Sequence, residues 1–519
     1  MKKFYDVIII GAGINGVSIA YEMGLRGFTS LVIDKGDISS GTSGSSSKLI
    51  HGGVRYLQYA AFDLVRESLV EQQRLLSNAS HLVRPLSFIM PLFKHGIPSW
   101  KMRLGFFLYD LLSYFHPKPK HSLLKRSEAI DLCSDLRSAS FDRAILFQDA
   151  QMNDSQICIE LAEMAHDLGV DISTYTEALS LDKDTSGLFN LSGQFLLSDS
   201  TFNVQSRFLI NCSGPWCDEL LQRFNRATTP HILPSKGVHI LTDTFKVGTA
   251  LALQNSDGRL FFALPWEGLT LIGTTETPCN SPIDSQCVTP EDIAYLKAAV
   301  KFSMGIDNLH IISSFSGVRP LARRRSYSLD STSRREKFHL SDNFLSVYGG
   351  KYTTFRRIAE KAAHYVHRFF SPCTPFKSLT KNNVFSRCIS VEQKEAFLDK
   401  FADSLDENIF SRLPYFLDKY GSKTSVILEL LDSYSWGIEP LSGSDWLKIE
   451  VVYVIKYSFS KKIEDFMRRR SLLMFQEQHG LQCLNEVADI FSILLDWSPQ
   501  QKTKEIAAYK DAVRQMCHV

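Results

Sequence analysis

Three glycines carry the first chemistry this chain offers. Gly11, Gly13 and Gly16 stand in Gly11-Ala12-Gly13-Ile14-Asn15-Gly16, after the apolar run Val7-Ile8-Ile9-Ile10 and before Val17, Ile19, Ala20 and Met23 at helical spacing. In that order Gly11 permits a tight turn, Gly13 lets the backbone approach a pyrophosphate, and Gly16 lets helix and strand pack closely. The helix then turns its N-terminal amides and the positive end of its dipole toward the phosphates, with Asn15 in its first turn. A second apolar strand, Leu31-Val32-Ile33, ends in Asp34, an acid at the distance expected for a ribose hydroxyl. These residues predict a dinucleotide site and leave FAD and a nicotinamide both open.

The next segment runs from Asp37 to Lys48 in small, donor-rich residues, among them Thr42, Ser43, Ser46, Ser47 and Lys48. As composition alone it would pass for a flexible linker. Directly after a nucleotide-binding unit, a loop without bulk can pack against a cofactor's phosphates and ring. It leads into Leu49-Ile50-His51-Gly52-Gly53-Val54-Arg55-Tyr56-Leu57.

The elements that position these residues belong to an ordinary globular chain. It has 519 residues, and 58 basic against 56 acidic side chains leave a formal charge of +2, which argues against a bulk nucleic-acid binder. At roughly 100 to 200 residues per domain, two to four domains are expected. Ten cysteines show neither Cys-x-x-Cys pairs nor metal-ligand spacing, so they read as reduced, mostly buried thiols of a cytosolic chain, with no metal site. The start, Met1-Lys2-Lys3 followed by apolar residues, reads as a buried strand and not a secretion leader, because the apolar run stops at Gly11. No window approaches the roughly 18 apolar residues that would span a bilayer, so any membrane contact is from one side.

The string from Ser45 to Leu57 resembles the corresponding motif of FAD-dependent glycerol-3-phosphate dehydrogenases, in the glycine oxidase/D-amino-acid oxidase superfamily. Further similar stretches follow in the family's order: Leu209 to Trp216, Ser235 to His239, Leu264 to Trp266, Ile272 to Glu276, Phe315 to Leu321, Gly349 to Arg356, and a C-terminal Ile463 to Arg470. The resemblance implies an α/β fold: a discontinuous Rossmann-like FAD-binding domain (1–80, 145–234 and 310–370), an antiparallel-sheet substrate domain (81–144 and 235–309) and a C-terminal α-helical cap (380–519). It adds Gly214, Gly350, Lys351 and Thr353 to the cofactor contacts. It also implies substrate binding by Arg55, Tyr56, Arg319, Arg334 and Lys351, whose cations suit a dianionic phosphate. Two departures stand out. Glu276 replaces an expected Asp, and Arg323-Arg324-Arg325 stands where acidic residues are more familiar.

The implied reaction oxidises sn-glycerol 3-phosphate to dihydroxyacetone phosphate. His51 and His239 are the candidates to take the hydroxyl proton, with His51 slightly favoured and Glu276 third, while Arg319 orients the substrate. The turn Lys351-Tyr352-Thr353-Thr354 opens a helical run, Phe355 to Val366, whose positive end would favour charge on the reduced flavin.

Residues 94–126 differ from their neighbours. Lys94, Lys101, Arg103, Lys118, Lys120, Lys125 and Arg126 flank Trp100, Phe106, Phe107, Tyr109, Tyr114 and Phe115, with Asp110 the single acid named against them. That pattern suits a helix lying in an anionic membrane surface, where ubiquinone or menaquinone would accept the electrons. The same segment also reads as a buried helix, because Trp100, Leu104, Phe107, Leu111 and Phe115 repeat at core spacing. The resemblance implies a peripheral enzyme on the cytoplasmic face of the inner membrane, and only the resemblance implies a homodimer. Rival readings are a soluble oxidase using oxygen and releasing peroxide, an amine oxidase needing one carboxylate anchor, and a non-catalytic flavoprotein that binds a partner.

Overall fold

A computed structural model describes residues 1–53, 61–93, 99–112, 119–226, 230–279, 281–323, 335–402 and 405–517. The run Phe4–Ile10 forms a strand buried from Val7 onward, paired in parallel with Ser30–Ile33 on one side and Thr201–Asn211 on the other. A strand covered on both faces needs an unbroken apolar sequence, which Val7-Ile8-Ile9-Ile10 supplies. Phe344–Tyr348 extends the sheet beyond Thr201–Asn211, again in parallel, and Asp171–Ser173 extends the other side. Helices Ile14–Leu25, Asp154–Asp167 and Phe355–Phe370 pack on one face through Val17, Ala20, Met23, Ala162, Ala359 and Ala363.

A second, largely antiparallel sheet lies beside the first and has ten strands among the described residues. Its backbone is the pair Ile232–Thr242 and Ser313–Ala322, in register from Ile232 opposite Ala322 to Leu241 opposite Ser313. The strand Phe141–Met152 from Ile145 onward, and the whole of Ser313–Ala322, fall within stretches that the sequence assigned to the FAD-binding domain, but both strands lie in this second sheet. The chain therefore crosses from sheet to sheet inside those stretches, at Met152 and Ala322.

Beyond residue 380 the chain is helical. Helical spacing in the sequence predicts runs at Val391 to Leu405, Ser425 to Leu431, Glu450 to Tyr457 and Val487 to Leu495. The helices Val391–Phe401, Thr424–Ser433, Lys448–Tyr457 and Leu484–Leu495 overlap them, and Glu407–Tyr420 and Pro499–Cys517 are added to them. Tyr420, Ile427, Val451, Phe466 and Phe491 share one core there. All ten cysteines are free, but only Cys133, Cys158, Cys212, Cys217 and Cys483 are buried, so "mostly buried" overstated them.

The Ser99–Leu112 helix settles one of the two readings of its segment. Phe106 and Tyr109 are buried, whereas Trp100, Leu104, Phe107 and Leu111 are 63%, 51%, 60% and 58% exposed. The stripe offered as a core face is an outer face. Lys94, Tyr114, Phe115 and Lys118 lie outside the described residues.

Candidate functional site

The glycine turn builds the nucleotide end. Gly11 sits at φ +112°, and a Cβ there would lie 2.4 Å from the Cys212 carbonyl oxygen. On Gly16 it would lie 1.8 Å from the Gly11 oxygen, so helix and turn touch through bare backbone. Ile14 donates its backbone N–H to Ser43 Oγ at 2.9 Å, tying the donor-rich loop to the start of the Ile14–Leu25 helix. Asp34 ends its strand as expected, and its carboxylate accepts from Ala12 N at 2.6 Å and Gly36 N at 2.8 Å. Burial pushes the Asp34 carboxyl up, and the two backbone donors oppose that shift.

From there a cavity of about 760 Å³ runs between the two sheets. Gly11, Gly13, Asn15, Asp34, Thr42, Ser43, Ser46, Ser47 and Gly214 line one part; His51, His239, Arg319, Gly350 and Lys351 line another. Three predicted contacts stand behind this wall. Gly16 packs against Gly11, Thr353 Oγ1 bonds the His51 carbonyl at 3.3 Å, and Lys48 is 1% exposed with its ammonium 2.7 Å from Asp154 Oδ1. Lys48 holds the loop from below: Asp154 also accepts from Ser46 Oγ at 2.7 Å. Arg55, Tyr56, Arg334, Arg324 and Arg325 lie outside the described residues.

The second sheet presents the reactive end. Ser235, Gly237 and His239 alternate on one face of their strand, opposite Arg319, Gly317 and Phe315. Gly237 leaves room for the Arg319 side chain, since a Cβ there would lie 2.3 Å from Arg319 Nη2 and push the guanidinium aside. The guanidinium crosses the strand to donate to Thr274 Oγ1 at 2.7 Å and the Thr275 carbonyl at 3.3 Å. His239 stacks on Phe315 with centroids 5.0 Å apart, and its Nε2 is 2.9 Å from Ser47 Oγ. Burial first, then Arg319 and Lys48, hold its imidazole well below the usual range. Lys351 is 9% exposed and donates to Ser68 Oγ at 3.0 Å. Glu276 also lines the cavity.

Asp149 was missed. It lines the cavity, and its Oδ1 accepts from Gly52 N at 3.0 Å, Gln72 Nε2 at 2.5 Å and Tyr109 OH at 3.2 Å. It thereby joins the His51-Gly52-Gly53 turn to two helices. The signal was its place in Gln148-Asp149-Ala150, an acid directly after the apolar run Ala144-Ile145-Leu146-Phe147.

The volume lies within the roughly 300–1,000 Å³ of cofactor sites, and the glycine turn, the buried acid at one end and the polar loop fit a dinucleotide. Fold and site define a two-sheet, dinucleotide-dependent oxidoreductase. The FAD-dependent oxidoreductase family matches residues 6–355, and the C-terminal domain of alpha-glycerophosphate oxidase matches residues 380–502. Glycerol-3-phosphate dehydrogenase of Pseudomonas aeruginosa is 32% identical over 91% of this chain and 92% of its own length. The protein of that name from Synechocystis is 30% identical over 99% and 97%. The crystal structure of glycerol-3-phosphate dehydrogenase from Bacillus halodurans complexed with FAD superposes with a TM-score of 0.78, covering 99% of this chain and 96% of that one at 22% identity. The chain belongs to the family of FAD-dependent glycerol-3-phosphate dehydrogenases, and FAD is its cofactor.

Proposed function

We propose that this enzyme oxidises sn-glycerol 3-phosphate to dihydroxyacetone phosphate and passes the electrons to a membrane quinone. The observation that carries the substrate is the meeting of Arg319, Lys351, His51 and His239 in one cavity. When bound, FAD supplies the acceptor that takes the carbinol hydrogen with its electron pair. Arg319 and Lys351, with Arg55 and Arg334 from the family motif, bind the phosphate and so fix the direction of the carbinol. The hydroxyl proton leaves to a histidine. His51 is the better base, because burial, then Arg319 and Lys48, disfavour the charged form of His239. Asp149 holds the Gly52 amide and with it the His51 turn.

The Ser99–Leu112 helix favours a quinone over oxygen as acceptor. Its exposed Trp100, Leu104, Phe107 and Leu111 stripe, with Lys101 and Arg103 exposed beside it, suits insertion into an anionic bilayer surface. No helix among the described residues is long and apolar enough to cross a membrane. Its inner face reaches the cavity wall, since Phe106 packs 4.8 Å from Phe147.

Anaerobic titration of the flavin absorbance with sn-glycerol 3-phosphate, beside glycine and glycerol, tests the substrate. Bleaching by the phosphate ester alone is expected; bleaching by glycine, or by nothing, overturns the reading. Reoxidation then separates the acceptors. A water-soluble quinone should reoxidise the reduced enzyme much faster than dissolved oxygen, and peroxide formed at the quinone rate would instead identify an oxidase.

A further inference from the structure

No described residue beyond Tyr352 lines the cavity, yet a buried cluster of four charged side chains joins the C-terminal domain to the loop beside it. Asp37 follows Asp34 by three residues and is 1% exposed. It accepts from Arg469 Nε at 2.5 Å and from Arg470 Nη2 at 3.0 Å, and Arg470 Nη1 bonds it as well. The two arginines are themselves held. Arg469 Nη2 donates to Asp465 Oδ1 at 2.6 Å, Tyr175 OH donates to the same oxygen at 2.6 Å, and Arg470 Nη2 donates to the Ser458 carbonyl at 2.5 Å. Both come from a π-helical turn, Asp465–Arg470.

A buried charge cluster of this kind adds little net stability, so what it fixes is geometry. Residues 38–47 follow Asp37. Ser40 N bonds the Asp37 carbonyl at 3.1 Å, Ser39 N bonds the Ala12 carbonyl at 3.1 Å, and Ser43 Oγ receives the Ile14 amide. Ser40 to Ser43 and Ser45 to Ser47 form cavity wall. The same turn also touches the support beneath the loop, because Gln156 Nε2 donates to the Arg470 carbonyl at 3.2 Å from the helix that begins at Asp154.

We propose that Arg469 and Arg470 are positioning residues of the FAD site: by gripping Asp37 they hold residues 38–47 in the shape that receives the dinucleotide, so flavin retention depends on a domain none of whose described residues lines the cavity. The test uses the full chain and reads flavin, not turnover. Apoprotein variants are titrated with FAD by fluorescence quenching, with the flavin absorption envelope recorded. Asp37→Asn keeps the shape of the side chain and removes its charge. Glu450→Gln is the control, since Glu450 is fully buried inside the C-terminal domain, accepts from Tyr420 OH at 2.7 Å and Tyr415 OH at 2.8 Å, and lies outside the Asp37 cluster. Asp37→Asn should raise the FAD dissociation constant by about tenfold or more, the scale of losing charge-assisted bonds that fix a loop. Glu450→Gln should change it by less than about twofold once compared at equal loss of apoprotein midpoint, because distant sites act independently. Equal shifts in both variants, or an unchanged constant in Asp37→Asn, overturn the proposal. Should Asp37→Asn not fold, Arg470→Lys, which keeps the charge but not the fork, carries the same comparison.

Discussion

At the residue scale, the site rests on side chains whose neighbours leave them little freedom. Arg319 lies across Gly237 and is bonded to Thr274 and Thr275, so its fork is aimed before any substrate arrives. Arg319→Lys keeps the charge and loses the planar pair of donors; kcat/KM for sn-glycerol 3-phosphate should fall roughly 10- to 100-fold in dye-coupled assays, mostly through KM. At His239 the same crowding shows in titration, because burial disfavours the protonated ring. Its pKa is depressed in the folded protein, so below the unfolded value of about 6.5 the unfolded chain takes up a proton that the folded chain refuses. Stability therefore falls as pH drops through about 6.5, by up to about 1.4 kcal/mol per pH unit. Thermal midpoints of His239→Gln should decline less steeply than those of the parent between pH 6.5 and 5; parallel declines would show that His239 does not carry this dependence. Among the residues, the glycines and Asp34 were legible from their spacing, and the placement of Arg319 and Lys351 in the cavity from the family motifs that carry them. Asp149 was not, since an acid in a strand gains meaning only from partners such as Gly52, Gln72 and Tyr109, which lie 97, 77 and 40 positions away.

At the scale of elements, the strand–turn–helix at the start has no tolerance for volume. Gly16→Ala would drive a methyl into the Gly11 carbonyl, and it should destabilise the protein by about 1–3 kcal/mol and yield purified protein with little bound flavin. The Ser99–Leu112 helix makes the opposite prediction. Trp100→Glu with Phe107→Glu alters only exposed positions, so the melting temperature and turnover with a soluble dye should hold while co-sedimentation with anionic vesicles is lost. Undiminished sedimentation would remove the membrane role from this helix. Periodicity alone located this helix but could not say which way its apolar stripe faces, because a core face and a membrane face have the same spacing. The two C-terminal helices it missed have separate reasons. Glu407–Tyr420 carries Pro414 in its interior, and Pro499–Cys517 buries only Glu505, Tyr509, Val513 and Met516 along 19 residues.

At the scale of the whole molecule, the α/β class, the mixed sheets and the helical C-terminal region were readable from motifs in sequence order, whereas the points where the chain changes sheet were not. Phe141–Met152 and Ser313–Ala322 have the apolar content of either sheet, and strand partners decide the matter. Binding of FAD joins both sheets through one cavity, so it should stabilise the protein as a unit: at a free concentration of about 100 times the dissociation constant, linkage gives about 2.7 kcal/mol. A calorimetric scan should show the apoprotein transition move upward with added FAD; a scan in which only part of the unfolding heat shifts would show that the two sheets melt independently.

The order of strands in the first sheet has a consequence for how the chain is made. Phe4–Ile10 leaves the ribosome well before its partner Thr201–Asn211, which follows some two hundred residues later, and Phe344–Tyr348 comes later still. At about 5–20 residues per second, the earlier strand waits roughly 10–40 s for that neighbour. Val7-Ile8-Ile9-Ile10, a β-prone run with neither charge nor proline, lacks that partner throughout the interval and is open to pairing with other chains. Newborn chains of this enzyme thus carry one open edge of that strand well before they can take up a flavin.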